Sequence, residues 1–381
     1  KLLILNILFN MKQEWDINLI NEIDFFLTSL KEDSNNYKFR PALEGLTDYG
    51  VSLDLGFSCY ALKCYYMLGL WEKLDNKVQN EWKEYINNFQ LNAKDLPESS
   101  YIDPQIVKHY ISRTQKYSVK NVIKNLLYFF NIRSIRTSSQ YYKDSIRAET
   151  KQAISTLFQV GFQNKKKYTD FPKTHQSIEE YLNSLDWKKP WNAGAQFSAL
   201  CVFTSTQLDA ELKKENESFL YDYLQEVLDQ ESGFYYQGHD IDENEKINGA
   251  MKVISGLDWI NRPIHYPEKI IDYCLNVEPG SEGCDLVDLV YVLYKTCSQS
   301  NYKKEEVKNF VNDIKFIIQK NYHPEKGGFS YFQAKSQTHY YGLNISLGKN
   351  TPDLHGTTLL LWALTMIDHI NGNTRFKIIK P

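Results

Sequence analysis

The feature of this 381-residue chain that most limits its fold is a regular alternation of two kinds of helical segment. Apolar residues recur at i, i+3, i+4 and i+7 in segment after segment, and strand patterns are scarce, so the chain is predicted to be mostly helical. One kind of segment is amphipathic, with an apolar stripe and a charged face, as expected of a helix on the outside of a protein. These outer helices are predicted at 16–31, 119–131, 175–185, 212–229, 267–275 and 304–320.

The other kind of segment is apolar on nearly every side and rich in small residues, so it must be surrounded by other parts of the protein. These inner helices are predicted at 54–69, 147–160, 192–204, 247–259, 284–297 and 353–370. The two kinds alternate strictly, with one extra segment, 74–113, after the first pair. Repeated helix pairs bury their apolar faces against neighbouring pairs, so the pattern predicts an all-α protein, an (α/α) toroid or barrel of about six inner–outer pairs.

Composition is that of a protein with a large buried core, and the repeated helix pairs favour one domain over two. Hydrophobic residues make up 42% and charged residues 24%, enough to bury a large core, and we expect a single toroid domain over residues 11–381. Forty-four Lys and Arg against 47 Asp and Glu give a net charge of −3, so no overall field favours nucleic acid or anionic membranes. We therefore expect no nucleic-acid partner, and the sequence leaves the oligomeric state open.

Cysteine usage and the opening residues bear on localisation. The six cysteines include no CxxC pair and lack the dense spacing of a disulfide scaffold, so we expect reduced thiols in a cytoplasmic protein. The opening run KLLILNILF is apolar but too short to span a bilayer, and no later stretch reaches the roughly 20 apolar residues of a membrane helix. We expect residues 1–10 to be a non-native or disordered extension before Met11, and no integral membrane association.

A short turn motif recurs in two of the repeats. The sequences ESGFYY at 231–236 and KGGFSY at 326–331 each stand before an inner helix. Glycine permits a positive-φ turn after an outer helix, and the aromatic residues that follow can cover the end of the ring. A Gly-Gly-Phe turn, a loop and a small-residue-rich inner helix resemble the repeat of the terpenoid cyclase and protein prenyltransferase superfamily. That resemblance implies an α/α toroid around an apolar funnel.

Helical toroids also occur among polysaccharide lyases and uronyl hydrolases, so the fold leaves the reaction open. Class II terpene cyclases protonate an alkene with the middle Asp of a DxDD motif at the head of an inner helix. The run DIDE at 240–243 is similar and implies Asp242 as the acid, although Glu243 replaces the last Asp and the run precedes the helix. An acidic loop that caps a helix N-terminus is the alternative interpretation.

A weak resemblance also points to a metal. Protein prenyltransferases hold zinc with an Asp and a Cys two residues apart and with a distant His. Glu282, Cys284 and His355 are similar in residue type and stand at the heads of the fifth and sixth inner helices. A packed cysteine near a helix start is the simpler interpretation. We predict no cofactor and leave Zn²⁺ or Mg²⁺ open at this place.

A third candidate site includes the sequence THYYG at 338–342, shortly before the last inner helix. Polysaccharide lyases remove the proton next to a uronate carboxylate with Tyr or His, while another group neutralises the carboxylate. The candidates of these types are His339 and Tyr341 for binding, and Tyr340, Asp353 and His355 for catalysis. The alternative is that these aromatic residues only pack the mouth of the ring.

Polar residues inside the apolar inner helices are more informative, because they must find partners or line a cavity. The catalytic candidate among them is Asp285. The binding candidates, with two aromatic residues suited to stacking on a sugar, are Trp191, Asn192, Gln196, Tyr236, Asn248 and Lys252. An ion pair between Lys252 and Asp285 across neighbouring helices is the alternative to a role in binding.

These observations favour an enzyme of the lyase or hydrolase type that acts on a carbohydrate or related small molecule in the centre of the toroid. A terpenoid-cyclase-like or prenyl-transferring enzyme is one alternative, and a non-enzymatic scaffold with an aromatic mouth is another. The central cavity discriminates between them. A deep apolar funnel would favour an isoprenoid, an open polar groove would favour a glycan, and a ring filled by side chains would favour a scaffold.

Overall fold

The computed structural model describes residues 15–32, 35–91, 96–115 and 138–381. Fourteen α-helices lie in these ranges. In chain order, α1 to α14 are Leu19–Leu30, Asp48–Ser52, Leu55–Met67, Asn76–Asn87, Pro104–Gln115, Ser138–Gln159, His175–Asn183, Pro190–Gln207, Ala210–Tyr223, Glu243–Trp259, Pro267–Leu275, Gly283–Cys297, Lys304–Gln319 and Leu354–Ile370. No helix within the described ranges is long and apolar enough to cross a membrane.

Eight short strands complete the described structure, in four antiparallel pairs that connect or flank helices. The pairs β1–β2, β3–β4, β5–β6 and β7–β8 are Lys31–Glu32 with Asn35–Phe39, Gln90–Leu91 with Ser100–Tyr101, Tyr322–His323 with Gly328–Phe329, and His339–Tyr340 with Leu343–Asn344. Seven of the eight have two residues each, too short for the sequence pattern to register as strands.

Six helices close into a ring. Helix α3 packs against α6, α6 against α8, α8 against α10, α10 against α12, α12 against α14, and α14 back against α3. Helices α4, α5, α9, α11 and α13 each pack on the outer side of an inner helix. The predicted (α/α) toroid is therefore confirmed, with its six inner helices in the predicted order.

Most predicted bounds agree with the structure to within a few residues. The outer helix predicted at 212–229 ends earlier, at Tyr223, and the largest difference is in the second inner helix. It begins at Ser138, well before the predicted start at residue 147, because its first turns carry polar and charged residues that the apolar pattern excluded. The extra segment 74–113 contains helices α4 and α5 and the β3–β4 hairpin. The predicted outer helix 119–131 and the predicted extension 1–10 lie outside the described residues.

Glycines permit helices α8 and α10 to pack against each other. A Cβ atom at Gly194 of α8 would lie 2.8 Å from the Gly249 carbonyl oxygen of α10, and one at Gly249 would lie 2.5 Å from Pro190 Cβ. Such distances are too short for carbon, so neither site accepts a side chain without moving a helix. These two glycines therefore let α8 and α10 approach closely. At Gly56 the reason differs, because a Cβ there would overlap the side chain of Tyr340.

Residues 376–381 cover the end of the ring where the inner helices finish. The Lys377 N–H donates to the Met67 carbonyl oxygen at the end of α3, over 2.9 Å. The Lys380 N–H donates to Gln159 Oε1 over 2.8 Å, and Trp259 Nε1 donates to the Pro381 carbonyl oxygen over 2.8 Å. This segment thus connects α3, α6 and α10 and forms the floor of the space inside the ring.

Candidate functional site

The ring encloses a cavity of about 270 Å³. Every one of the six inner helices contributes to its wall, with Tyr341 on one side and Ile379 and Pro381 at the floor. A space of this size lies just below the range for small-molecule sites, which is roughly 300 to 1,000 Å³. The centre of the toroid is therefore neither filled by side chains nor wide enough for a macromolecule.

The wall of the cavity is positively charged. Lys63 of α3, Arg147 and Lys151 of α6, and Lys252 of α10 line it, whereas Asp288 of α12 is the one carboxylate side chain among its described lining residues. Arg147 is already paired, since its Nη2 lies 2.7 Å from Asp144 Oδ1. The three lysines are thus the groups that an anionic ligand would meet.

Lys63 sits in a helix that is otherwise apolar, and its side chain is only 8% exposed. It has no hydrogen-bond or ion-pair partner among the described residues. Burial lowers the pKa of its amine, because a charged ammonium loses hydration that nothing in the wall replaces. An unpaired buried amine is costly for folding, so its presence on a cavity wall is a functional signal.

Lys151 faces the same cavity from α6. Its Nζ donates a hydrogen bond to Ser198 Oγ on α8 over 2.9 Å, and Ser198 in turn shares a hydrogen bond with Ser255 of α10 over 2.8 Å. Burial, together with the positive charges of Lys252 and Lys63, lowers the pKa of Lys151 to about 7. A substantial fraction of this amine is therefore neutral near pH 7, while its side chain remains partly exposed to the cavity.

Lys252 has a carboxylate partner, but a different one from that predicted. Its Nζ lies 3.7 Å from Asp288 Oδ2, and the expected pair with Asp285 is wrong. Asp285 lies one turn nearer the start of α12, where its Oδ1 accepts from Asn248 Nδ2 over 3.2 Å. Burial raises the pKa of Asp288 to about 6, although Lys252 opposes that shift.

Aromatic and apolar side chains form the rest of the wall. The imidazole of His355 stacks on the ring of Tyr60, with ring centroids 4.9 Å apart and planes inclined by 10°. Burial lowers the pKa of His355 to about 4, so the ring is neutral at pH 7. Its Nδ1 is buried and has no hydrogen-bond partner among the described residues. Tyr341, Met251, Leu359 and Trp362 add an apolar surface.

Asp353 has a structural position outside the cavity lining. Its Oδ1 accepts from the Gly356 N–H over 2.7 Å and caps α14. Its Oδ2 accepts from the Tyr331 N–H over 2.7 Å and from the Gln337 N–H over 3.0 Å. With both oxygens committed to the backbone, this carboxylate holds the KGGFSY turn and the following loop against the inner helix.

Tyr340 is also committed to the protein. Its hydroxyl donates to Glu149 Oε1 over 2.5 Å, and Glu149 Oε2 accepts from the Asp103 N–H over 2.9 Å. Burial, reinforced by the negative charge of Glu149, raises the pKa of Tyr340 well above its usual value. Such a phenol is a poor base. Burial also raises the pKa of Glu149 to about 8.

Six other candidates lie away from the cavity. Asp242 is exposed and caps α10 through the Asn244 and Glu245 N–H groups, as the alternative interpretation expected. Gln196 connects Asn192 to the Tyr181 hydroxyl on the outer helix α7, so this pair faces outward. The remaining three are Trp191, which is 47% exposed, Tyr236, which lines a separate surface pocket of about 470 Å³, and His339, which is exposed.

The structure brings two of the three proposed metal ligands to the same wall. Cys284 and His355 both line the cavity, whereas Glu282 is exposed at the start of α12. No group of three or more His, Cys, Asp and Glu side chains among the described residues is placed to hold a metal ion. The donor set therefore does not fit the zinc arrangement that the resemblance implied, and we derive no step through a metal.

The sequence interpretation missed Lys63, Lys151 and Tyr60. Lys63 gives the same signal as Lys252, a single lysine in an apolar helix, and was detectable on that basis. Lys151 is harder to find, because the first turns of α6 carry mostly polar and charged residues and one more lysine there does not stand out. What distinguishes it is its depth in the ring, which only the three-dimensional structure gives.

A larger groove of about 690 Å³ lies outside the ring, between α6 and residues 168–172. Its wall includes Tyr142 of α6, Tyr181 of α7 and Phe203 of α8. The central cavity is bounded by described residues on every inner helix, so it is the better candidate site.

Comparisons with known proteins add little to this picture. No family model and no curated protein matches the sequence. Among solved structures, the chain is similar to a type II terpene cyclase from Scytonema, determined in complex with its product merosterolic acid A. The identity is 13%, the match covers 95% of this chain and 99% of that chain, and the TM-score is 0.42. The toroid assignment rests on the closed ring of inner helices in this chain.

Proposed function

We propose that this protein is a lyase-type enzyme that binds a small anionic molecule in the central cavity. The observation that carries the proposal is the excess of cationic side chains on the wall, where Lys63 and Lys151 have no carboxylate partner. Burying unpaired cations costs folding free energy, and an anionic ligand would recover part of that cost. The aromatic surface of Tyr60 and Trp362 would contact the uncharged part of the ligand.

A lyase suits this wall better than a hydrolase. Glycoside hydrolysis ordinarily needs two carboxyl groups on opposite sides of the bond, and the described wall has only the side chain of Asp288. Removal of a proton next to a carboxylate instead needs a base and nearby cations for the charge that develops. The partly neutral Lys151 supplies the base, and Lys63 and Lys252 supply the cations.

An isoprenoid diphosphate is the second candidate ligand. The phosphates would meet the lysines, and the hydrocarbon would meet Met251, Leu359 and Trp362. Both candidate ligands carry negatively charged oxygens that would contact the lysines. They differ in the uncharged part of the molecule, which is a hydrocarbon chain in the isoprenoid. The size of the cavity favours a short isoprenoid over a long one.

Thermal unfolding with matched pairs of compounds tests the proposal. The anions are glucuronate, pyruvate and geranyl diphosphate, and the neutral partners are glucose, acetone and geraniol. We expect at least one anion to raise Tm while its neutral partner does not. The anion that does so shows whether the ligand is a carboxylate or an isoprenoid diphosphate. A Lys63→Met variant should lose the shift, and a Lys165→Met surface variant should keep it. Equal shifts from anions and neutral partners would contradict the proposal.

A further inference from the structure

Lys151 has the placement of a nucleophile as well as that of a base. It lines the cavity, it has a hydroxyl as its hydrogen-bond partner, and the positive charges of Lys63 on the adjacent helix α3 and of Lys252 on α10 act on it. An amine is a nucleophile only when it is neutral, and desolvation next to other cations is one established way to keep it so. None of the surface lysines within the described ranges lines this cavity.

The groups that face Lys151 come from four other inner helices. Lys63 lies on α3 and Lys252 on α10, and both disfavour a further positive charge. Cys201 on α8 and Asp288 on α12 act in the opposite direction. The net result is a pKa lowered to about 7, from the value of 10.5 for an ordinary lysine.

Ser198 orients the amine of Lys151 through a hydrogen bond. Its Oγ accepts one N–H of Lys151, and its own hydroxyl proton is available to Ser255 Oγ, with which it shares a hydrogen bond. A neutral amine that donates one hydrogen in this way keeps its lone pair free. Because Lys151 is partly exposed on the cavity side, that lone pair is accessible to a bound ligand.

We propose that Lys151 forms a covalent imine with the carbonyl carbon of a 2-oxo acid bound in the cavity. This inference rests on the proposed function and specifies its substrate class. The amine nitrogen attacks the carbonyl carbon, and the carbonyl electron pair moves to oxygen, giving a carbinolamine. That oxygen leaves as water with the two amine hydrogens, and a C=N bond remains. Lys63 and Lys252 hold the adjacent carboxylate.

Reductive trapping tests the imine directly. The wild-type protein is incubated with pyruvate and sodium cyanoborohydride at pH 7, and the modified residue is located by peptide mass spectrometry. We expect a single dominant adduct on Lys151, formed about tenfold or more faster than adducts on the exposed lysines at 165–167. The trapping rate should rise with pH through a midpoint near 7.

Two variants complete the test. Lys151→Arg should abolish the dominant adduct. Ser198→Ala keeps the amine but removes its hydrogen-bond partner, so it should slow trapping several-fold. This second variant keeps the inference testable if Lys151→Arg does not fold. Adducts spread over the surface lysines, an unchanged adduct in Lys151→Arg, or no adduct at all would overturn the inference. If pyruvate still raises Tm without reductant, the anion site stands and only the imine fails.

Discussion

Lys252 Nζ lies 3.7 Å from Asp288 Oδ2 inside the ring, and this pair joins α10 to α12 across the cavity wall. Asp288 is the one carboxylate side chain among the described lining residues, so this contact offsets one of the positive charges there. Arg147 is paired with Asp144 outside the lining. Lys63 and Lys151 are left without a carboxylate, and the anion site depends on that imbalance.

Replacing Lys63 with methionine should raise stability and weaken ligand binding at the same time. Methionine has a similar shape without the charge, so Lys63→Met removes a desolvation penalty, and we expect a gain of about 1 kcal/mol in the free energy of unfolding. Because the pKa of Lys63 is lowered in the folded state, the wild-type penalty grows as pH falls. The gain should therefore be larger at pH 6 than at pH 10, as measured by urea denaturation.

The matched control for this variant is Lys165→Met. Lys165 is on the surface, where it pairs with Glu84 over 2.8 Å, and such pairs contribute about 0 to 1 kcal/mol. Its loss should leave stability nearly unchanged or slightly reduced. If Lys63→Met proved as neutral as Lys165→Met at both pH values, Lys63 would not be an unpaired buried charge.

Glu149 should make the protein less stable as pH rises. Its pKa is about 8 in the folded state against an ordinary value of 4.5, so the folded protein holds a proton that the unfolded chain has lost. Stability from this group is fully present below pH 4.5 and is lost as pH rises through 8. The slope amounts to at most about 1.4 kcal/mol per pH unit. Glu149→Gln should flatten the profile between pH 5 and 8, and an unchanged slope would refute the assignment.

Gly56→Ala should be strongly destabilising, because the new Cβ would overlap the side chain of Tyr340. We expect a loss of about 3 kcal/mol, the upper part of the range for overpacking. A double-mutant cycle isolates the cause. In a Tyr340→Ala background the same glycine substitution should cost much less, and equal costs in both backgrounds would place the strain elsewhere.

Asp353→Asn distinguishes a structural carboxylate from a catalytic one. The carboxylate accepts three backbone N–H groups, and an amide has only one acceptor oxygen, so we expect a loss of about 2 kcal/mol. Asp242→Asn is the control, since asparagine caps a helix as well as aspartate does. Anion binding should be unchanged in both variants. A specific loss of binding in Asp353→Asn would restore this residue to the active site.

The sequence predicts the ring well because periodicity reports how each helix is surrounded. A helix that is apolar on all sides, such as α14, must be surrounded by other protein. Six such helices in alternation with amphipathic helices therefore predict a toroid. The start of α6 was beyond this reasoning, since its first turns are polar. The motif at 326–331 likewise has a structural role. Asp353, later in the chain, accepts a hydrogen bond from the Tyr331 N–H and holds this turn in place.

The site is less predictable because chemistry depends on depth and direction. Tyr340 and Tyr341 are adjacent in sequence, yet Tyr340 points to Glu149 while Tyr341 lines the cavity. Likewise Asp285 and Asp288 share a helix face, and only Asp288 reaches Lys252. A shift of one helical turn or of one residue decides whether a side chain lines the cavity. The sequence pattern does not specify that position.

The most direct test of the anion site is a calorimetric titration of the wild-type protein and Lys63→Met with the anion that raises Tm most, chosen from glucuronate, pyruvate and geranyl diphosphate. The account predicts one binding site per chain in the wild type and an affinity about tenfold or more lower in the variant, as expected when a buried charge contact of about 1.4 kcal/mol is lost. Equal affinities in the two proteins, or no binding of any of the three anions to the wild type, would contradict it.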